Sequence, residues 1–277
     1  MKRIDTHQHL WDLHQFPCSW CANLPALNRS FLLTDYLAAA QETGIEKTVF
    51  VECDVDEPHQ LAEAQHIQKL AEANPLIAGL VASVRPEHAD FPAQLDALLP
   101  LTKLRGLRRV LHTVPDSISC SGTFVANVRR LSLHKLPFDL CVLARQLPLA
   151  YTLGEKCPEV QFVLDHCGVP DVKGKAFDPW RANIQRLASL PNMACKISGL
   201  PAYAGENWSA EDLRPWVDHA IGCFGWDRVL WGGDWPVCNL TGSLQQWAEA
   251  ADHLFATATA GEREKVFSKN AERIYRI

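Results

Sequence analysis

Short, almost unbroken apolar runs recur along the chain, and each is followed by a longer stretch in which apolar residues return every three or four positions. The runs are KRIDTHQ, KTVFVEC, LIAGLVASV, LRGLRRVLH, PFDLCVL, VQFVLDHC, MACKISGL and RVLWGGDW. Runs of this length without alternation fit strands buried on both faces, as in a parallel sheet covered by helices. Between them lie TDYLAAAQETG, HQLAEAQHIQKLAEANP and WRANIQRLASLP, which read as helices, the first two closing on Gly and Asn-Pro. Eight such units predict an α/β fold, a (β/α)8 TIM barrel in one domain spanning residues 1–277. A doubly wound open sheet is the rival, but no glycine-rich phosphate loop follows the first run. Residues 10–31 read as a long first loop, and GEREKVFSKNAERIYRI as a closing helix.

Composition narrows the class. The 277 residues are 47% hydrophobic and 21% charged, with a net charge of −5, which is ordinary for a globular chain. No Lys/Arg-rich run is present, so neither nucleic acid nor an anionic membrane is the expected partner; a small molecule is. No apolar run approaches the ~18 residues of a membrane span. The Lys-Arg pair near the start has no apolar segment behind it, so no signal peptide is predicted. Most of the ten cysteines, among them Cys53, Cys141, Cys167, Cys195 and Cys223, lie inside apolar segments and read as small buried hydrophobes. Cys18 and Cys21 form one C-x-x-C without a second pair at zinc-finger spacing, so scattered reduced thiols and a cytoplasmic location are expected.

The chemistry gathers at the ends of three runs. Asp5, His7 and His9 alternate, and alternate strand residues share a face, so all three are expected to point into the barrel mouth. The sixth run ends in Asp165 and His166 and the eighth in Asp234. Each has a plain reading: exposed histidines at a frayed end, a hydrogen-bonded core histidine, a helix cap. Together they stand where barrel enzymes carry catalytic groups, at the C-terminal ends of strands. Three histidines and one aspartate suit a single Zn2+ with an open position for water. They suit equally a metal-free site in which the carboxylate activates water and histidines polarise a carbonyl.

H-x-H after the first strand, LDHCGVP after the sixth and GGDWPV after the eighth resemble the amidohydrolase superfamily. With LRGLRRVLH, NMACKISGL and KNAERIYRI, the chain resembles its lactonase-containing branch, which includes aldonolactone, 2-pyrone-4,6-dicarboxylate and sulfomuconolactone hydrolases. The resemblance implies a hydrolase that opens a lactone, most directly that of a sugar acid. It implies Asp234 and His166 as catalytic residues, and His7, His9, His166 and Asp234 as ligands of one divalent metal such as Zn2+, or as a metal-free set. Binuclear members carry a bridging lysine or glutamate on the fourth strand and a histidine on the fifth. PFDLCVL has no histidine, and the fourth run offers Arg108, Arg109 and His112 instead, so one metal or none is expected.

Around this core, Arg108 is expected to face inward rather than Arg109, and to bind substrate. Glu52, Asp54 and Gln146 are candidates for sugar hydroxyls, and Trp235, with Trp11, Trp20 and Trp208, for an aromatic wall. Lys196 reads as an ion-paired lysine before a neutral base. The alternatives are a metal-dependent decarboxylase, a dicarboxylate- or muconolactone-type lactonase, and a barrel that binds a sugar acid without turning it over.

Overall fold

Each apolar run folds as a strand in the computed structural model, which describes residues 2–277. The strands are β1 (Arg3–Gln8), β2 (Ile45–Val51), β3 (Ile77–Ser83), β4 (Leu104–Val110), β5 (Phe138–Cys141), β6 (Phe162–Leu164), β7 (Met193–Ile197) and β8 (Val229–Trp231). Neighbours pair in chain order, every pair parallel. A bridge between Gln8 and Trp235, with the amide of Asp234 donating to the carbonyl of His7 at 2.7 Å, brings the last strand back to the first. The result is a (β/α)8 barrel.

The expected helices form as Leu33–Ala39, Gln60–Ala73 and Trp180–Ala188, the second stopping at Asn74 before Pro75. The closing segment runs as helix Ala260–Glu264, a π turn at Lys265–Lys269, and helix Asn270–Tyr275. Aliphatic side chains fill the barrel: Ile4, Val49, Val51, Val81, Val163, Ala194 and Leu230, closed at one end by Ile274 and Tyr275. A larger apolar shell packs between strands and helices. The first loop is less irregular than expected. It carries a 3₁₀ turn at Ser19–Asn23 and is pinned where Trp11 bridges Phe31. All ten cysteines are free thiols.

Two departures shape the mouth. β6 and β8 stop short of the predicted runs, at Leu164 and Trp231. Beyond them His166, Cys167 and Asp234 take left-handed backbone, with φ of 53°, 52° and 55°. The other departure corrects the expected face of Asp5. The β1 register slips between Asp5 and Gln8, so the simple alternation breaks there. Asp5 keeps the outward face it shares with Arg3, which reaches Ala248 and Asp252. Its carboxylate accepts from the Tyr36 hydroxyl (2.8 Å) and from the backbone amides of His7 (2.9 Å) and Gly233 (2.7 Å). Asp5 therefore braces the two strand ends from outside, and only the histidines turn in.

Candidate active site

His7 and His9 leave β1 with ring centroids 4.8 Å apart, and His166 stands 4.5 Å from His7 on the other side. Asp234 faces all three. Its Oδ1 is 3.8 Å from His7 Nε2 and 3.6 Å from His9 Nε2, and its Oδ2 is 4.0 Å from His166 Nδ1. His9 Nδ1 donates to the carbonyl of Val51 at 2.8 Å, since a carbonyl can only accept. That leaves the Nε2 lone pair facing the carboxylate. Two acceptors so placed are reconciled by a cation or a proton between them.

His166 is fixed through Nδ1 to Ser198 Oγ at 2.9 Å. Gly199 is required beside it: a Cβ there would lie 2.5 Å from that nitrogen, on backbone with φ of 67°. Burial first, with nearby Arg108 and Lys196 among the lesser causes, lowers the His166 pKa and keeps the ring neutral at pH 7.

Beneath the histidines lies a buried charged layer. The Lys196 ammonium reaches Asp139 Oδ2 (2.7 Å), Asp165 Oδ1 (3.0 Å) and His7 Nδ1 (3.2 Å). Burial opposes its charge, but Asp139 and Asp165 outweigh that and raise its pKa. Asp165 is likewise disfavoured by burial, yet Lys196, His7 and Arg108 hold its carboxyl well below the usual range. Burial lowers the His7 pKa well below the ordinary value, so that ring too is neutral at pH 7. Asp139 also accepts from the Tyr275 hydroxyl, at 2.9 and 3.0 Å. Burial raises the Asp139 carboxyl to about 6.

Arg108 is the inward member of its pair. Nε donates to Glu52 Oε1 (2.6 Å), a second nitrogen to the Glu52 carbonyl (2.6 Å), and the third faces Asp165 (3.3 Å) and His7 Nε2 (3.4 Å). Arg109 turns instead to Glu87 and Asp54.

A cavity of about 170 Å³ opens above this set, with Trp11, Trp20 and Tyr203 on its walls and His9, Asp54, Arg108, His112, His166 and Asp234 among its polar groups. Four sequence candidates lie elsewhere. Glu52 is wholly buried behind Arg108. Gln146 is buried and bonded to Leu111 and Asp116. Trp235 packs its ring on Phe31 and Tyr36, with centroids 5.5 and 5.4 Å away. Trp208 pairs with Trp247 outside the mouth. Sequence reasoning passed over Tyr203, although its position just past β7 was a usable signal. It also passed over Asp139, a lone acid inside an apolar strand.

The residues present fit one metal ion. Ligand atoms of a tetrahedral zinc lie roughly 3.3–3.6 Å apart for bonds of about 2.0–2.2 Å. His7, His9 and Asp234 approach that spacing without rearrangement, and their ligand atoms lie within 4.8 Å of one another. A second trio, His7, Asp165 and His166, shares His7, but its Asp165 is committed to Lys196 and Arg108.

A family model described as amidohydrolase matches residues 4–277. The chain is 29% identical over 283 residues to an L-fucono-1,5-lactonase of Burkholderia ambifaria, covering 99% of this chain and 96% of that one. To the L-fucono-1,5-lactonase of Burkholderia multivorans it is 32% identical over 299 residues, covering 99% and 96%. A zinc-bound amidohydrolase from Burkholderia multivorans superposes with a TM-score of 0.87 at 28% identity, covering all of both chains.

Proposed function

Since the chain belongs to the amidohydrolase family, we propose that it hydrolyses a lactone, and that the lactone is that of a sugar acid. The carrying observation is the approach of Asp234 to His7, His9 and His166 at the floor of an open cavity. The L-fucono-1,5-lactonases matched along 99% of the chain support the substrate class.

Asp234 is the general base. Its carboxylate takes a proton from water as the water oxygen attacks the lactone carbonyl carbon. As the ring C–O bond breaks, the same carboxyl returns the proton to the departing alkoxide, leaving an open hydroxy acid. His166, which accepts from the Ser198 hydroxyl at Nδ1, is left an Nε2–H to orient the carbonyl. His9, whose Nδ1–H is given to Val51, offers only an Nε2 lone pair, the donor atom a metal would take. Arg108 supplies fixed positive charge near the developing oxyanion. His7, His9 and Asp234, with His166 beside them, would hold a divalent ion such as Zn2+, which when bound supplies carbonyl polarisation and a more acidic water.

A pH-indicator screen of a lactone panel, with and without chelator, tests the reading. Aldono-1,5-lactones are expected to give acid without loss of carbon. Release of CO2 from an aromatic acid, with every lactone left intact, would replace it.

A further inference from the structure

Asp54 follows the end of β2 on left-handed backbone, with φ of 48°. Aspartate is one of the few side chains that enters this region readily, because its short polar group can bond locally. His166 and Asp234 share this conformation at the mouth. Asp54 lines the same cavity.

Its carboxylate is pinned on one side and free on the other. Oδ1 accepts from Arg85 at 3.2 Å and lies 3.9 Å from Arg109. Those guanidinium groups are themselves anchored, Arg85 to Glu57 at 2.6 Å and Arg109 to Glu87 at 2.8 Å. The Asp54 amide donates to Glu52 at 2.7 Å, fixing the turn. Oδ2 has no partner among the described residues, and the side chain is 22% exposed. Beside it Trp20 is locked by its indole N–H to the Cys53 carbonyl at 2.8 Å. A fixed acceptor next to an aromatic face is the chemistry that holds a polyol ring.

The charge inventory points the same way. Arg108 is the one permanently charged cation among the described residues of the lining, and all three of its nitrogens face Glu52, Asp165 or His7. A carboxylate or sulfonate on the substrate ring would meet Asp54 without a free countercharge.

Resting on the lactonase reading, we propose that Asp54 is the specificity-determining residue: its free oxygen accepts from ring hydroxyls, so the substrate is a neutral, hydroxylated lactone and not a carboxylated or sulfonated one. The test compares L-fucono-1,5-lactone, unsubstituted δ-valerolactone and 2-pyrone-4,6-dicarboxylate in wild type and Asp54→Asn. Asn tolerates left-handed backbone and still accepts from Arg85, so the fold is kept. The kcat/KM preference for the hydroxylated over the unsubstituted lactone is expected to fall about ten- to hundredfold, chiefly through KM, the usual worth of a hydrogen bond to a charged group. An unchanged ratio, with both lactones slowed alike, would return Asp54 to a structural role and overturn the proposal. So would a wild-type preference for the dicarboxylate. If wild type turns over none of the three, the lactonase reading fails by itself. Calorimetry with the 1,5-lactam of L-fuconic acid then decides Asp54: weaker binding in Asp54→Asn upholds the proposal, and equal or absent binding overturns it.

Discussion

Asp234→Asn keeps the shape of the side chain and suits a residue held at φ of 55°. If Asp234 is the base, kcat should fall by roughly 10²–10⁴, the range general-base catalysis supplies, with the fold intact. Lactone turnover within a few-fold of wild type would sink the mechanism. Arg108 is a different case. It is 4% exposed and neutralises Glu52, which is fully buried. Arg108→Met leaves that carboxylate without its partner, so a loss of about 3–5 kcal/mol is expected alongside lost activity, read by denaturant melts. Retained stability would show that Glu52 is neutral or solvated in the variant. At this scale the histidines and Asp234 were legible because spacing at strand ends has few meanings. The surroundings of Glu52 and Gln146 were not, because a polar residue near a strand end faces a cavity or a neighbour depending on contacts that local sequence does not encode.

The strands and their order were legible from apolar runs, since each must bury both faces. Where a strand stops was not. β6 and β8 end early because the turns that present His166 and Asp234 leave extended backbone, and the slip in β1 reversed the expected face of Asp5. The helix Gln60–Ala73 carries one further consequence of burial. Glu63 on it is 2% exposed, accepts from the Cys53 amide, and has Oε2 unpartnered among the described residues. Burial raises its pKa from 4.5 to about 8. Folding thus favours the protonated form. Its contribution is fully present below pH 4.5 and is lost as pH rises through about 8. Glu63→Gln should therefore raise Tm at pH 8.5 by an amount worth on the order of a few kcal/mol, and by much less at pH 5. An equal shift at both pH values would mean that Glu63 is not proton-linked.

For the whole molecule, the buried charged layer bears on metal content. The Lys196 ammonium lies 3.2 Å from His7 and 3.0 Å from Asp165, where a second cation beside His7 would have to stand. Elemental analysis of protein purified without added metal should find at most one divalent ion per chain. Two stoichiometric ions would require Lys196 to have moved or lost its proton. The same layer has an implication for synthesis. Asp139 is satisfied by Tyr275, Lys196 by Asp139, and His7 by Lys196. His7 on β1 thus depends, through Lys196 and Asp139, on the hydroxyl of Tyr275, 268 positions further along the chain. While the polypeptide is still being extended on the ribosome, translation through Val237 supplies every residue that lines the cavity, yet the nascent barrel lacks the group that completes the wiring beneath it. Activity should therefore appear only once the helix Asn270–Tyr275 has docked beneath the barrel.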